Sequence, residues 1–232
     1  MAVTRDIRTF ISEKHQMSFY YWCLARKELG LSIPLFVVIL DRHSDMLPLP
    51  LEERERVRFL NIDDLQQVKD FVAIVLDDRN FVTSAMECGL VGDILIITQE
   101  PNGHEYRSRD GKAHRIFYQK YSDESTFRAL FHRKNAGLKR ILRKYFDMKL
   151  DVALDIDLDF FTYDCDDSVY VFSEESVKDI FSPSSIIWPI YQRARLLTIS
   201  VEPHWSGGLE NSKQAFELLK KYLTEKKIEV QF

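Results

Sequence analysis

Residues 35–50, LFVVILDRHSDMLPLP, contain the strand end on which the fold and the candidate site depend. The stretch begins with an unbroken run of apolar and β-branched residues, which is typical of a strand buried on both faces of a parallel sheet. The run stops at Asp41, after which Asp41, His43 and Asp45 occupy alternate positions. In an extended chain, alternate side chains point to the same side. The stretch therefore predicts a buried strand whose end presents two carboxylates and an imidazole together.

A second stretch of this kind lies at residues 151–161, DVALDIDLDFF, where Asp155 and Asp157 alternate at the end of an apolar run. Taken alone, the D-x-H-x-D pattern also arises by chance in solvated turns, and DIDLD is also compatible with a calcium loop or a solvated face. An EF-hand loop would need a glycine and a distal glutamate, which do not follow. Clustered carboxylates are costly to bury unless cations lie among them. The two stretches together favour a site for manganese, iron, zinc or magnesium with carboxylate and imidazole ligands.

Predicted strands alternate with predicted helices along the chain. The strands are expected at residues 6–12, 35–41, 92–98, 151–161 and 195–203, and the helices at 14–29, 51–61, 64–80, 80–90, 123–147, 173–181 and 211–227. Residues 99–120 are expected to form a long loop or hairpin, with turns at Asn102-Gly103 and Asp110-Gly111. This alternation predicts an α/β fold with three αβα layers and a mainly parallel, doubly wound sheet. We expect residues 1–232 to form a single domain, and ligands to bind beyond the carboxyl ends of the strands.

The composition is that of an ordinary globular protein. Of 232 residues, 45% are hydrophobic and 29% are charged, and the formal net charge is −4. A mildly acidic chain argues against nucleic acid and against an anionic membrane surface as partners, and it is compatible with a cationic substrate. No apolar run approaches the length of a membrane span, and the first residues contain no apolar signal core.

The three cysteines, Cys23, Cys88 and Cys165, are isolated from one another in the sequence. Their odd number and the absence of a C-x-x-C pair argue against a disulfide framework and against a thiolate zinc site. We expect buried or inert thiols in a reducing cytoplasm.

These stretches together resemble the arginase/deacetylase-like metallohydrolases, the superfamily that includes the ureohydrolases. Ureohydrolases have D-x-H-x-D after one strand and D-x-D after a later strand, and their first metal-binding histidine opens a helix, where His15 stands here. More narrowly, EKHQMSFYYW, LDIDLDFF and VEPHWSGG resemble a short arginase-like family that includes peptide arginases, which convert arginine residues of ribosomal peptides to ornithine. The resemblance covers nearly the whole chain.

The resemblance implies a dinuclear site holding two Mn²⁺ ions, with other divalent metals as alternatives. One ion would be bound by His15, Asp41, Asp45 and Asp155, and the other by Asp41, His43, Asp155 and Asp157. Asp41 and Asp155 would bridge the two ions. Glu202 stands where ureohydrolases place the carboxylate that binds the guanidinium group, and otherwise it is an ordinary glutamate at a strand end.

The resemblance also implies a reaction. A bridging hydroxide would attack the guanidinium carbon of an arginine residue in a peptide, Asp157 would transfer a proton, and urea would leave an ornithine side chain. His204 is the best-placed candidate for a proton shuttle, ahead of His104 and His114, although a surface position is the simpler interpretation of each. Another C–N hydrolase of agmatinase or deacetylase type and a non-catalytic metal-binding module remain alternatives, as does a homo-oligomeric state.

The chain departs from ordinary arginases in several places. The D-x-D pattern continues as LDFF where those enzymes have glycine and proline, and the first histidine lies in SEKHQ in place of Gly-Gly-Asp-His-Ser. We expect a more open cleft that suits a peptide. WSGG, residues 205–208, is interpreted either as a close turn beside the substrate or as a strand-to-helix connection. The basic helix near residues 133–144 is interpreted as a solvated face or as a docking surface for an acidic leader peptide.

Overall fold

A seven-stranded sheet forms the centre of the protein in a computed structural model, which describes residues 7–101, 105–107, 113–131, 135–148 and 150–225. The strands of this sheet are β1 (Arg8–Ser12), β2 (Leu35–Leu40), β3 (Val91–Thr98), β4 (Glu105–Arg107), β5 (Ala113–Lys120), β6 (Val152–Asp157) and β9 (Ala194–Ser200). Their spatial order is β1-β9-β6-β2-β3-β5-β4. Neighbouring strands are parallel except for β4, which pairs antiparallel with β5 at the edge. Strands β7 (Thr162–Cys165) and β8 (Ser168–Val171) form a separate antiparallel hairpin.

Helices cover both faces of the sheet. They are α1 (Met17–Leu29), α2 (Leu51–Arg58), α3 (Leu65–Ile74), α4 (Phe81–Glu87), α5 (Glu124–Phe131), α6 (Ala136–Asp147), α7 (Glu174–Ile180), α8 (Trp188–Arg193) and α9 (Leu209–Glu225), with a short 3₁₀ helix at Leu158–Phe161. Helices α1–α4 contribute to one apolar core and α5–α9 to the other. The structure therefore confirms the predicted three-layer αβα fold with a mainly parallel sheet.

The side chains of β2 explain why the sequence of this strand is apolar throughout. All six residues are buried. Phe36, Val38 and Leu40 pack in the core under α5–α9, whereas Val37 and Ile39 pack in the core under α1–α4. Alternate residues of a strand point to opposite faces, so a strand covered on both faces needs apolar residues at every position.

The strand order also determines where a ligand site can form. From β2 the chain passes to β3 and β5 on one side, and then returns to β6 on the other side of β2. Such a reversal opens a crevice beyond the carboxyl ends of the strands. Because β1, β9, β6 and β2 are neighbours, the segments that follow them meet at the same edge.

One sequence prediction about the middle of the chain is wrong, and a second is confirmed only in part. Residues 123–147 form two helices rather than one, because Asn135 starts α6 as its N-cap and accepts a hydrogen bond from the Leu138 backbone N–H at 3.1 Å. The segment 99–120, expected to be a loop or hairpin, contains the antiparallel pair of β4 and β5, so the hairpin is confirmed; that β5 also extends the parallel sheet beside β3 was not predicted. The hairpin turns predicted at residues 102–103 and 110–111 lie outside the described residues.

Further expectations have separate outcomes. None of the helices in the described ranges is long and apolar enough to cross a bilayer. The three cysteines are free; Cys23 is buried, Cys88 is half-buried and Cys165 is exposed. Burial raises the pKa of the Cys88 thiol to about 12, which keeps it protonated and unreactive. That residues 1–232 form one domain stays a prediction.

Candidate metal centre

Four adjacent strands deliver acidic and imidazole side chains to the carboxyl edge of the sheet. His15 follows β1, Asp41 and His43 follow β2, and Asp157 ends β6. Glu202 follows β9, and its Oε1 accepts a hydrogen bond of 2.7 Å from the backbone N–H of His15. This bond joins the segments after β1 and β9, which are neighbouring strands of the sheet.

His15 lies at the centre of the first group of ligand-type atoms. Its Nδ1 is 3.2 Å from Asp41 Oδ2, 3.2 Å from Asp157 Oδ2 and 2.9 Å from Asp45 Oδ2. All four side chains are buried. The segment after Asp41 does not stay extended as the alternation predicted, because Asp45 has a φ of 50°, in the left-handed region that aspartate tolerates. The bend nevertheless keeps the Asp45 carboxylate close to His15.

Asp155 lies on the opposite side of the His15 ring from the other carboxylates. Its Oδ2 is 2.5 Å from His15 Nε2, and its Oδ1 accepts hydrogen bonds from Ser18 Oγ at 2.6 Å and from Thr198 Oγ1. A carboxylate in this position keeps the proton on Nε2 and leaves the lone pair of Nδ1 for a metal. The resemblance implies that Asp155 bridges two metals. In the structure, protein groups contact both of its oxygens, which favours a role in orienting His15 instead.

A second group of ligand-type atoms consists of Asp41, His43 and Asp159. His43 Nδ1 is 2.8 Å from Asp159 Oδ2 and 3.8 Å from Asp41 Oδ1. Asp159 is not among the ligands predicted from the sequence, although it is the third aspartate of the DIDLD stretch. Its position results from the end of β6, since the chain turns at Asp157 into the 3₁₀ helix, and Asp157 Oδ1 accepts the Asp159 backbone N–H at 3.2 Å.

The donor atoms fit two metal ions that share Asp41. The group His15, Asp41 and Asp157 and the group Asp41, His43 and Asp159 each have one ligand atom per residue within 4.8 Å of the others. Within the described ranges, His15 Nδ1, Asp41 Oδ2 and Asp159 Oδ2 are buried without a hydrogen-bond partner. Buried polar atoms nearly always have a partner, so three such atoms in one cluster indicate that cations complete it. Carboxylate and imidazole donors without thiolates suit manganese or iron, among other divalent ions.

The electrostatics of the metal-free cluster are unfavourable. Burial, together with the nearby charges of Asp45 and Asp159, raises the pKa of Asp41 well above its ordinary value. Burial likewise raises the pKa of Asp45 to about 6. Burial lowers the pKa of His43, but the Asp159 carboxylate, 2.8 Å from His43 Nδ1, outweighs this effect and raises that pKa to about 9. The raised pKa values mean that protons compete with a metal ion for these carboxylates as the pH falls.

These shifts predict how the effect of metal on stability depends on pH. A carboxyl group whose pKa is raised in the folded state stabilises the fold while it is protonated, and that contribution is lost as the pH rises through the folded pKa. We therefore expect Mn²⁺ to raise the melting temperature of chelator-treated protein more at about pH 7.5 than at about pH 5.5, since protons compete with the metal at the lower value. Thermal unfolding at the two pH values measures this, and an equal or reversed effect would contradict it.

An acidic cavity of about 200 Å³ adjoins the cluster. Five carboxylates line it, from Asp45, Asp78, Glu100, Asp157 and Glu202. Arg79 also lines it and is 2.8 Å from Asp77, which partly offsets its charge. The excess of negative charge favours a cationic ligand.

A second cavity of about 280 Å³ lies next to the first, and Asp78, Glu202 and Trp205 line both. The indole Nε1 of Trp205 donates a hydrogen bond of 2.8 Å to Asp78 Oδ2. The Trp205 ring centroid is 5.2 Å from that of His43. Trp205 therefore forms a wall between the metal cluster and the second cavity.

The three candidate proton shuttles have different positions. His204 is exposed and lines the second cavity, and its ring centroid is 5.1 Å from that of Trp205. His114 lies at the start of β5, at the opposite end of the strand from the carboxyl edge. The interpretation of His114 as a proton shuttle at this site is therefore wrong. His104 lies outside the described residues.

The WSGG turn is a packing connection rather than a close approach to a ligand. Gly207 has a φ of 81°, and a Cβ at this position would lie 2.4 Å from Val169 Cβ in strand β8. Only glycine lets the chain pass the hairpin this closely before α9 begins. Trp205, the first residue of the turn, is the one that lines the cavities.

Comparisons with known proteins give structural likenesses only. No protein-family model matches the chain, and no curated protein matches it. Similar solved structures include a hypothetical agmatinase from Burkholderia thailandensis, with 14% identity over 95% of this chain and 60% of that one and a TM-score of 0.47. Proclavaminate amidino hydrolase from Streptomyces clavuligerus has 14% identity over 92% of this chain and 63% of that one, with a TM-score of 0.48. Arginase from Bacillus cereus has 12% identity over 94% and 70%, with a TM-score of 0.49. The chain thus spans less than two thirds of the length of the first two structures.

Proposed function

We propose that this protein is a metal-dependent hydrolase of guanidinium groups, and that it converts an arginine residue of a peptide to ornithine with release of urea. The observation that carries the proposal is the pair of ligand groups that share Asp41 beside an acidic cavity. Membership of the ureohydrolase superfamily, two Mn²⁺ ions as cofactors and an arginine-containing peptide as partner form part of this proposal.

Glu202 is the proposed binding residue for the guanidinium group. It lines both cavities, and its bond to the His15 N–H fixes the carboxylate next to the metal cluster. Burial raises its pKa, so a bound cation would compensate for the cost of its charge. A planar guanidinium group binds a carboxylate through two parallel hydrogen bonds, which would orient the carbon towards the cluster.

The chemistry of the reaction follows from the same groups. Two divalent ions, when bound, would polarise the substrate and make water a nucleophile near neutral pH. The oxygen of water adds to the guanidinium carbon, and the bond from this carbon to the side-chain nitrogen breaks. Asp157 has a pKa raised by burial and lines the cavity, so it can accept the proton of the water and deliver it to the leaving amine. Arginine and one water thus give ornithine and urea.

A peptide substrate is supported by the space beside Glu202. The second cavity continues past Glu202 along Glu13, Lys14 and Asp77. A chain bound there would have room for its backbone outside the metal cluster while the arginine side chain entered between Trp205 and Glu202. His204, which lines this outer cavity, is then placed to contact the peptide rather than the reacting carbon.

The proposal predicts the behaviour of a Glu202→Gln variant. We expect the Mn²⁺-loaded protein to release urea from an arginine-containing peptide, with the mass decrease that corresponds to loss of one carbon, two nitrogens and two hydrogens. Glu202→Gln should retain its metal and lose roughly 10–100-fold in kcat/KM, because a charge-assisted hydrogen bond contributes about 1.5–3 kcal/mol. Mass spectrometry and urea release measure the reaction, and metal analysis measures occupancy.

The matched control is Glu217→Gln, which changes an exposed glutamate on α9 and should leave the rate unchanged. Free arginine and agmatine are assayed in parallel. Hydrolysis of either as fast as of the peptide would contradict the peptide part of the proposal. No urea from any guanidino compound by metal-loaded protein would contradict the activity itself, and deacetylation of an acetyl-lysine peptide would replace it by the deacetylase alternative.

A further inference from the structure

A further cavity, away from the metal cluster, has a different chemistry. It has a volume of about 940 Å³ and runs along α6 and the segment that leads into α8. None of its lining residues lines either cavity at the metal cluster. We call it the α6 groove.

Positive charge surrounds the α6 groove. The cations that line it are Lys139, Arg140, Arg143, Lys144 and Arg193, against a single acidic residue, Asp147. Lys139 and Arg140 are exposed, and neither has an ion pair within the part of the chain that the structure describes. Arg143 and Asp147 are both exposed and 4.0 Å apart, which makes a weak pair.

The floor of the α6 groove is apolar. Phe146, Ile186 and Trp188 line it together with Pro183 and Pro189. The guanidinium carbon of Arg193 lies 4.5 Å from the centre of the Phe146 ring, and its Nη1 donates a hydrogen bond of 3.0 Å to the Phe146 carbonyl. Part of the rim is therefore fixed in place over the floor.

We propose that the α6 groove binds an acidic peptide segment that also carries apolar side chains. The cations of the rim complement carboxylates, and the apolar floor takes side chains such as leucine or phenylalanine. Nucleic acid fits less well, since the chain has a net charge of −4 and the groove offers an apolar floor rather than a continuous basic surface.

If the acidic segment belongs to the same chain as the arginine that is hydrolysed, the groove is a docking site for the substrate, and this part rests on the proposed function. The last turn of α6 leads into the start of β6, whereas the metal cluster lies beyond the end of β6. The six residues of β6 span about 20 Å at roughly 3.3 Å per residue. A connecting chain therefore needs at least about six residues between the docked segment and the arginine.

Fluorescence anisotropy with a labelled synthetic peptide tests the binding. The probe is a peptide of repeated Glu-Glu-Leu-Phe units, and the comparison peptide has glutamine in place of each glutamate. We expect the acidic probe to bind the full-length protein, the binding to weaken with salt, and the Lys139→Glu/Arg140→Glu variant to bind about tenfold or more weakly, because like charges would then face each other. Both positions are exposed on α6, so the fold should tolerate the change.

The matched control is Lys69→Glu/Lys178→Glu, which reverses two exposed lysines outside the groove and should bind the probe like the wild type. Equal binding of the glutamine peptide, no effect of the groove variant, or tighter binding of a single-stranded RNA of the same length would each overturn the proposal. The measurement needs neither metal nor turnover, so it is independent of whether the guanidinium hydrolysis is found.

Discussion

Replacing Asp41 by asparagine is expected to remove both metal ions and to lower the hydrolytic rate by more than ~100-fold, since loss of even an outer-shell partner costs ~10–100-fold. Among the described residues, Asp41 belongs to both ligand groups, so its loss is expected to affect both ions. An asparagine can still accept the His43 backbone N–H, which Asp41 Oδ1 accepts at 2.7 Å. The variant should therefore keep the fold of the segment while it loses the charge that the two ions share. Elemental analysis and the urea assay measure the two effects.

For the same variant we expect no loss of stability in the absence of metal, in contrast to its loss of metal binding and of rate. Burial and, to a lesser extent, repulsion by Asp45 and Asp159 destabilise the Asp41 carboxylate, which is why its pKa is raised. Removing the charge should leave the melting temperature of metal-free protein unchanged or higher near neutral pH, while the increase caused by Mn²⁺ disappears. Asp70→Asn, at an exposed position of α3, serves as the control and should keep both metal and rate. An Asp41→Asn protein that is unstable without metal would show that the residue is structural.

Asp155 and Asp159 are expected to differ sharply although they are four positions apart in one short stretch. Asp159→Asn should reduce the metal content by about half and lower the rate by more than ~100-fold, because it removes a proposed ligand of one ion. Asp155→Asn should still bind both ions at saturating Mn²⁺, with an affinity that is ~10–100-fold weaker, because it loosens the hold on His15. Titration with Mn²⁺, monitored by calorimetry, measures the number of bound ions and their affinity, and so distinguishes a lost site from a weakened one.

Ser18→Ala supplies the control for Asp155, since it removes the hydroxyl that donates a hydrogen bond of 2.6 Å to Asp155 Oδ1 and keeps the backbone N–H that donates to the His15 carbonyl. It should weaken metal binding in the same direction as Asp155→Asn and by less. Complete loss of an ion in Asp155→Asn, with no loss in Asp159→Asn, would support Asp155 as a metal ligand, as the resemblance implies. It would also show that Asp159 is not a ligand, contrary to the grouping in the structure.

The fold could be predicted from the sequence because a strand that is buried on both faces of a sheet has a continuous run of apolar residues. Runs such as LFVVIL and the alternation of strands with helices are enough to predict a parallel sheet with two helical layers. The edge of the sheet was harder to predict, since β5 has the sequence AHRIFYQK and is only partly buried. A strand covered weakly near an edge loses the continuous apolar character that identified β2. The break between α5 and α6 was missed because basic residues continue across it, and only Asn135 indicates a new helix start.

The site was predicted in outline for a related reason. Side chains that follow neighbouring parallel strands must meet, so His15, Asp41, His43 and Asp157 could be brought together without a structure. Which aspartate of DIDLD faces which imidazole depends on the residue at which β6 stops being extended. Alternation continues in the sequence through Asp159, whereas the backbone turns at Asp157. Ser18 and Thr198 donate hydrogen bonds to Asp155 from distant segments of the chain, and no local sequence pattern predicts these contacts.

The hydrogen bonds of the three aspartates have a consequence for the number of positions open on each ion. In Asp41, Asp157 and Asp159, one oxygen accepts a main-chain N–H, from His43, Asp159 and Arg42 respectively, and the other faces an imidazole. Each carboxylate is thus held in place by the backbone and offers mainly one oxygen. The group of Asp41, His43 and Asp159 then provides one donor atom from each of three residues, fewer than the four that close a structural zinc site. An ion bound in this way would retain coordination sites for solvent and for an incoming ligand, which distinguishes a reactive centre from a structural one.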